Sequence, residues 1–241
     1  RTGLTDVIGL MKATATSVKK THNRRSSDTK NKILDAAEQL FSECGFYGTS
    51  VREITKLSGV QVSLSYYHFG SKEAILKAVV DRRADQHIED HRRLLRNNLA
   101  ANQGRPLPVE QLIGIFVRPS LERLVGGDAG WKRYVQLLSH LAFESARSEH
   151  AFVFFKYDEV IIEFIDEFKR STPDADPKDL NWAFYFLQSA HTHSLLEAQI
   201  IDRQSNHLCD SSNIEELILQ MQTFFGSGLL ALKSQTKATN P

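Results

Sequence analysis

The stretch TSVREITKLSGVQVSLSYYHFGSK, from Thr49 to Lys72, decides how the first third of the chain folds. Ser50 and Glu53 have capping-box spacing: the hydroxyl takes an orphan amide and the carboxylate reaches back to the cap. Val51, Ile54 and Leu57 then share one face of a short helix. Gly59 stands where that helix must stop, since glycine tolerates the left-handed backbone of a C-terminal cap. Val60 opens a second short helix that runs through Tyr66 and Tyr67. Two short helices over a glycine turn predict a helix-turn-helix, whose second member enters the DNA major groove.

Two short helices bury too little apolar surface to stand alone. The brace lies upstream, where Ile33, Ala36, Ala37, Leu40 and Phe41 form a full apolar stripe. That spacing predicts a first helix from about Asp28 to Glu43, ended by Gly45, with Phe46 folding back onto the same core. Residues 1–28, with the run KKTHNRRSS, carry no sustained apolar period and are expected to be a disordered basic arm. Such an arm can track phosphates or serve only as a solubilising tail.

Downstream, Ser71 caps a long fourth helix expected to reach about Asn102 through DRRADQHIEDHRRLLR. His87 and His91 are four apart on it and have metal-ligand spacing, but no third ligand accompanies them, so a solvated face is expected. After Gly104–Pro108 come five apolar helical segments: about 109–125, 131–146, 149–170, 177–202, and a last one that Ser212 and Glu215 would cap. Pro119 lacks an amide and should kink the first of these. No strand pair, repeat or phosphate loop is visible. The expected fold is all-α: an N-terminal three-helix helix-turn-helix domain at 29–75, a C-terminal helical effector-binding and dimerisation domain at 76–233, and a tail at 234–241.

The 241 residues carry 41% hydrophobic and 24% charged side chains, the balance of an ordinary soluble protein. The formal charge of +1 conceals an asymmetry: residues 1–83 hold 14 Lys+Arg against 8 Asp+Glu, and the remainder 16 against 21. A basic first third suggests that this part alone meets a polyanion. Cys44 and Cys209 are far apart and in no metal spacing, and no signal sequence or membrane-length apolar run is present, so a cytoplasmic setting without cofactor or metal is expected. With no nucleophile–base pair in view, an enzyme is not expected.

The order ILDAAEQLFSECGFYGTSVREITKLSGV…YYHFGSKEAIL closely resembles the N-terminal domain of tetracycline-repressor-type transcriptional regulators. The resemblance covers residues 30–80, and GF-x-x-TS, SGV, YYHF and SKE carry it. One departure is Ser65, standing where the family often has an apolar residue; either it or Leu64 faces the groove. Base-reading side chains come from the first turns of the second helix, here Gln61, Val62, Ser63, Leu64 and Ser65. Arg52 can read guanine or hold a phosphate, and the resemblance favours the base. Thr49, Ser50, Tyr66, Tyr67, His68 and Lys72 suit phosphates, with core packing the competing role for Tyr67 and Phe69.

The resemblance further implies a homodimer on a double-stranded operator, seamed by the last two helices, where Gly226 and Gly228 permit close approach. It also implies a repressor released by a small effector held among the middle helices. The aromatic content there suggests a hydrophobic or aromatic ligand, with Phe116, Trp131, Tyr134, His140, Phe143, Phe155, Tyr185, Gln188, His191 and His193 as candidate lining. His191 and His193 are two apart and point to different faces, against a shared metal. The alternative is a DNA-bound protein whose C-terminal body docks a protein partner; a filled body would favour it, and a cavity of several hundred cubic ångströms the sensor.

Overall fold

A computed structural model describes residues 26–144 and 151–238, without the side chains of 151–154 and 233–238. Among the described residues there is no strand. The helices are α1 (26–44), α2 (Val51–Ser58), α3 (Val62–Phe69), α4 (Lys72–Asp81), α5 (Ala84–Ala101), α6 (Val109–Gly126), α7 (Ala129–Glu144), α8 (Ala151–Ser171), α9 (Pro177–Glu197), α10 (Gln199–Gln204) and α11 (Ile214–Ala238). None is long and apolar enough to cross a membrane. Contacts divide the chain into two compact units, with the boundary between Val79 and Val80.

In the first unit, Ile33, Ala37, Phe41, Phe46 and Ile54 are buried, and the Phe41 and Phe46 rings stack at 5.7 Å between centroids. Helix α1 is already formed at 26–28, where the sequence suggests arm; residues 1–25, with most of KKTHNRRSS, lie outside the described residues. The capping box is made: the Glu53 amide donates to Ser50 Oγ at 3.2 Å, and the Ser50 amide donates to Glu53 Oε2 at 2.7 Å. Those bonds hold the Glu53 carboxyl below its ordinary pKa. Gly59 closes α2 at φ 67°, a conformation that costs a residue with a Cβ about 1–2 kcal/mol.

In the second unit α6 is central, packing against α5, α7, α8, α9 and α11. From Leu112 to Val117 every residue is buried, as the run LIGIFV requires. Helix α11 comes close enough that a Cβ on Gly114 would stand 2.5 Å from Gln222 Nε2, and one on Gly226 2.8 Å from Glu110 Cγ. Gly226 therefore serves the α6–α11 crossing inside one chain; only Gly228 faces open space, which corrects the pairing of both glycines with a dimer seam.

Two other expectations change. The fourth helix does not run unbroken to Asn102 but ends at Asp81 and resumes at Ala84, and Lys156 on α8 pairs with Asp81 at 3.1 Å and Asp85 at 3.0 Å, on either side of that break. The last helix is capped one residue later than expected: Glu216 N donates to Asn213 Oδ1 at 3.2 Å, while Ser212 bonds Asp210 and Glu215 pairs with Arg118. Helix α6 stays a single helix through Pro119. Near that proline the Val117 carbonyl accepts from His191 Nε2 at 3.2 Å.

Candidate DNA-reading head and buried cavity

Helix α3 turns Val62, Leu64, Tyr66 and Tyr67 outward, with Tyr67 82% exposed, and Gln61 and Ser63 are exposed beside them. Ser65 points the other way at 1% exposure, and its hydroxyl has no partner. The choice between Leu64 and Ser65 is thereby made: Leu64 faces solvent and Ser65 takes the inward position. At the start of α2, Tyr47, Gly48, Ser50, Arg52, Tyr66 and Lys72 line a shallow, open depression. The free amides and positive dipole end of α2 point toward that side, as an anion site requires.

Two residues assigned to phosphate have other work. Thr49 is buried and its hydroxyl donates to the Leu40 carbonyl at 3.2 Å and the Gly45 carbonyl at 2.9 Å, fastening the α1–α2 loop. Lys72 donates to the carbonyls of Phe46 at 3.0 Å and Thr49 at 2.9 Å, with its ammonium 3.9 Å from the Phe46 ring centre. It ties the head of α4 to the loop before α2, and its side chain reaches phosphate only with what donor capacity is left. Tyr67 contacts the neighbouring His68 ring edge-on at 5.2 Å, and its exposure removes the core-packing role.

The second unit holds a partly open cavity of about 110 Å³ between α5, α6, α7, α8 and α9, smaller than the several hundred cubic ångströms expected of a sensor. Its walls are Val135, Leu138, Val160, Phe116, Phe164 and Leu195, and its polar groups are His87, His91, Ser120, Tyr157, Gln188 and His191 among others. His87 and His91, expected on a solvated face, are buried. His87 bonds Tyr157 Oη and Ser120 Oγ, each at 3.2 Å, and Tyr157 Oη is 2.6 Å from Tyr134 Oη. His91 Nδ1 donates to the His87 carbonyl at 2.9 Å. Burial lowers all three imidazole pKa values, His191 to about 4, and raises that of Tyr157. At neutral pH the cavity is lined by uncharged groups.

Two family models match this chain. Residues 33–79 fit the bacterial regulatory proteins of the tetR family, and residues 114–228 fit the tetracyclin repressor-like C-terminal domain. The chain belongs to the tetR family. The helix-turn-helix-type transcriptional regulator UidR of Escherichia coli K12 is 40% identical over 52 residues, 22% of this chain and 26% of that protein. RutR of the same strain is 44% identical over 64 residues, 25% of this chain and 30% of that protein. The matched region is thus about a quarter of the length of these curated relatives. Salmonella enterica GusR has the same fold, at a TM-score of 0.52 and 23% identity over 86% of this chain and 95% of that one.

Within this tetR-family fold, Phe116, Gln188 and His191 of the expected ligand set meet at the cavity. Tyr134 stands behind it, touching through Tyr157, and Trp131 packs on Tyr134 and under the Arg123 guanidinium at 3.9 Å. Phe143, Phe155 and Tyr185 are exposed, His140 is half-buried away from the lining, and His193 lines a separate groove beside α10. The polar lining residues that the expected set omits are His87, His91, Ser120, Ser139, Tyr157 and Thr192. Their one available signal was the i, i+4 histidine pair.

Two outcomes follow for stability. Ser65→Ala removes a buried hydroxyl that bonds nothing, so it should stabilise the first unit by roughly 1 kcal/mol, read as a raised denaturation midpoint. The histidines set a pH dependence. Because His191 has a folded pKa near 4 against an ordinary 6.5, the unfolded chain takes up the proton first as pH falls. Stability is therefore full above 6.5 and lost between 6.5 and about 4, with His87 and His91 adding in the same direction. Each neutral histidine contributes a slope of up to about 1.4 kcal/mol per pH unit. Urea midpoints across that window should fall on acidification, and less so in His191→Gln.

Proposed function

We propose that this chain is a DNA-binding transcriptional regulator that acts as a homodimer and leaves its operator when a small, mostly apolar effector fills the cavity. The observation that carries the DNA half is the outward row of α3: Gln61, Val62, Ser63, Leu64, Tyr66 and Tyr67 stand free of the core beside Arg52. Gln61 suits adenine, Val62 and Leu64 suit thymine methyls, and Arg52 suits guanine. Ser50, Tyr66, Tyr67 and His68 suit the backbone, with Tyr47 added to them. In duplexes selected from a random pool, Arg52→Ala should flatten base preference at one position per half-site, at about 1–3 kcal/mol for that base pair. Unchanged preference at every position would remove Arg52 from base reading.

The dimer reading rests on α9 and α11, adjacent helices that keep large apolar side chains in solvent: Trp182, Tyr185 and Phe186 on one, Leu219, Phe224 and Leu230 on the other. Such a row in a monomer is costly and characteristic of an interface. The repressor and effector readings rest on the apolar character of the cavity, although it is smaller than the several hundred cubic ångströms expected, and on Lys156, whose paired partners Asp81 and Asp85 end α4 and begin α5. Lys156 is next to Tyr157, so a ligand that displaces Tyr157 pulls on the break between those helices. By linkage the ligand and the operator must then weaken each other equally. A regulator of this kind works in the cytoplasm.

A further inference from the structure

The inference rests on the sensor reading above and concerns which ligand the cavity accepts. Helix α9 sends Gln188, His191 and Thr192, with Leu195 one turn on, along the wall. The His191 Nε2 proton goes to the Val117 carbonyl, which can only accept, so Nδ1 offers a lone pair. Among the described residues the Gln188 amide and the Thr192 hydroxyl have no hydrogen-bond partner, whereas Ser139 already donates to Val135 and Ser120 is held by His87. Unpartnered donors and acceptors on one strip of an otherwise apolar wall mark where a ligand's polar end belongs.

What the wall lacks is as informative. Among the described residues, no Lys, Arg, Asp or Glu lines the cavity. Asp90, next to His91 in sequence, is held by Arg93 at 2.9 Å and Arg123 at 2.5 Å. An anion entering this space would lose its hydration and find no cation among the described lining residues, a cost that ordinarily shifts or excludes it. The volume of about 110 Å³ is below the roughly 150 Å³ of an apolar cavity that holds one benzene ring, which limits the apolar body of a ligand to one ring at most.

We propose that the cavity selects an uncharged ligand with an apolar body of about one ring and a single hydroxyl, which donates to His191 Nδ1 and accepts from Gln188 or Thr192, and that it rejects carboxylates. Calorimetry on the full chain at neutral pH with phenol, toluene and benzoate tests this. Phenol should bind about tenfold tighter than toluene, the value of a well-made hydrogen bond in a dry site, and benzoate should not bind measurably. In Gln188→Leu/Thr192→Val the phenol advantage should vanish while toluene affinity holds, which separates loss of a polar contact from loss of the cavity. Benzoate binding as tightly as phenol, or a phenol advantage that survives the double substitution, overturns the ligand class and leaves the sensor reading standing. Binding of none of the three overturns both, and DNA binding, measured separately, is untouched by either result.

Discussion

Phe224→Asp is expected to turn the proposed homodimer into a monomer of 27.3 kDa and with it to remove tight operator binding. Phe224 is 76% exposed in the isolated chain, and its ring touches Phe225 edge-on at 5.3 Å, so the fold loses little by the change. In a two-fold interface the same residue occurs twice. If each carboxylate loses at least about 2 kcal/mol on burial without a partner, the pair costs about 4 kcal/mol, roughly a thousandfold in dimer dissociation. Light scattering would give the mass and circular dichroism the helix content. A monomer with native helicity is the expected pair of results; an unchanged dimer would move the seam away from α11.

The second large effect lies at Tyr67. It is 82% exposed and bonded to nothing in the core, so Tyr67→Ala should leave the unfolding midpoint unchanged. On DNA it should cost each head about 1–1.5 kcal/mol for a lost phosphate hydrogen bond, and a dimer has two heads, giving roughly a thirtyfold to hundredfold weaker complex. Fluorescence anisotropy on a fixed duplex reads the loss directly. Lys72→Ala makes an informative contrast. It removes two carbonyl contacts and a contact with the Phe46 ring, so its loss of affinity should come with loss of stability. Intact affinity in Tyr67→Ala would mean that α3 presents a different face to the duplex.

The head was legible because its signals are local. The Ser50–Glu53 cap, the Gly59 stop and the buried Ile54 lie within one or two turns of each other, and each was found in its place, whereas Leu57 of the expected apolar face is half-exposed and Thr55 is buried instead. The family resemblance and the all-helical class rest on the same short-range chemistry. What sequence reasoning could not reach were partners brought in from afar. The pair His87 and His91 sits in a charged run that reads as solvated, yet it is buried, because Ser120 and Tyr157 arrive from 33 and 70 residues away. Asp90 beside it is neutralised by Arg123, also 33 residues on.

Helix α9 misled for a different reason. Its apolar side chains are spread around the helix, so the period cannot say which side faces in; Tyr185 turned outward and the more polar strip of Gln188, His191 and Thr192 turned inward. At the start of α11 the cap spacing occurs twice in SSNIEE. Asp210, two residues upstream, took Ser212, and Arg118, from 97 residues away, took Glu215, which left Asn213 and Glu216 to form the cap. Lys72 and Thr49 looked like phosphate ligands by type and position, but the carbonyls they bond are set by how the α1–α2 loop folds.

The claim on which the rest depends is that two copies of this head neutralise the phosphates of one duplex. Anisotropy of a labelled duplex from a random-pool selection, titrated with the full chain at several potassium chloride concentrations, tests it most directly. The expected result is two chains per duplex and a logarithmic plot of affinity against salt that falls steeply, with a slope of about −0.9 for each phosphate neutralised. No binding at low salt, or binding that salt leaves unchanged, would contradict it.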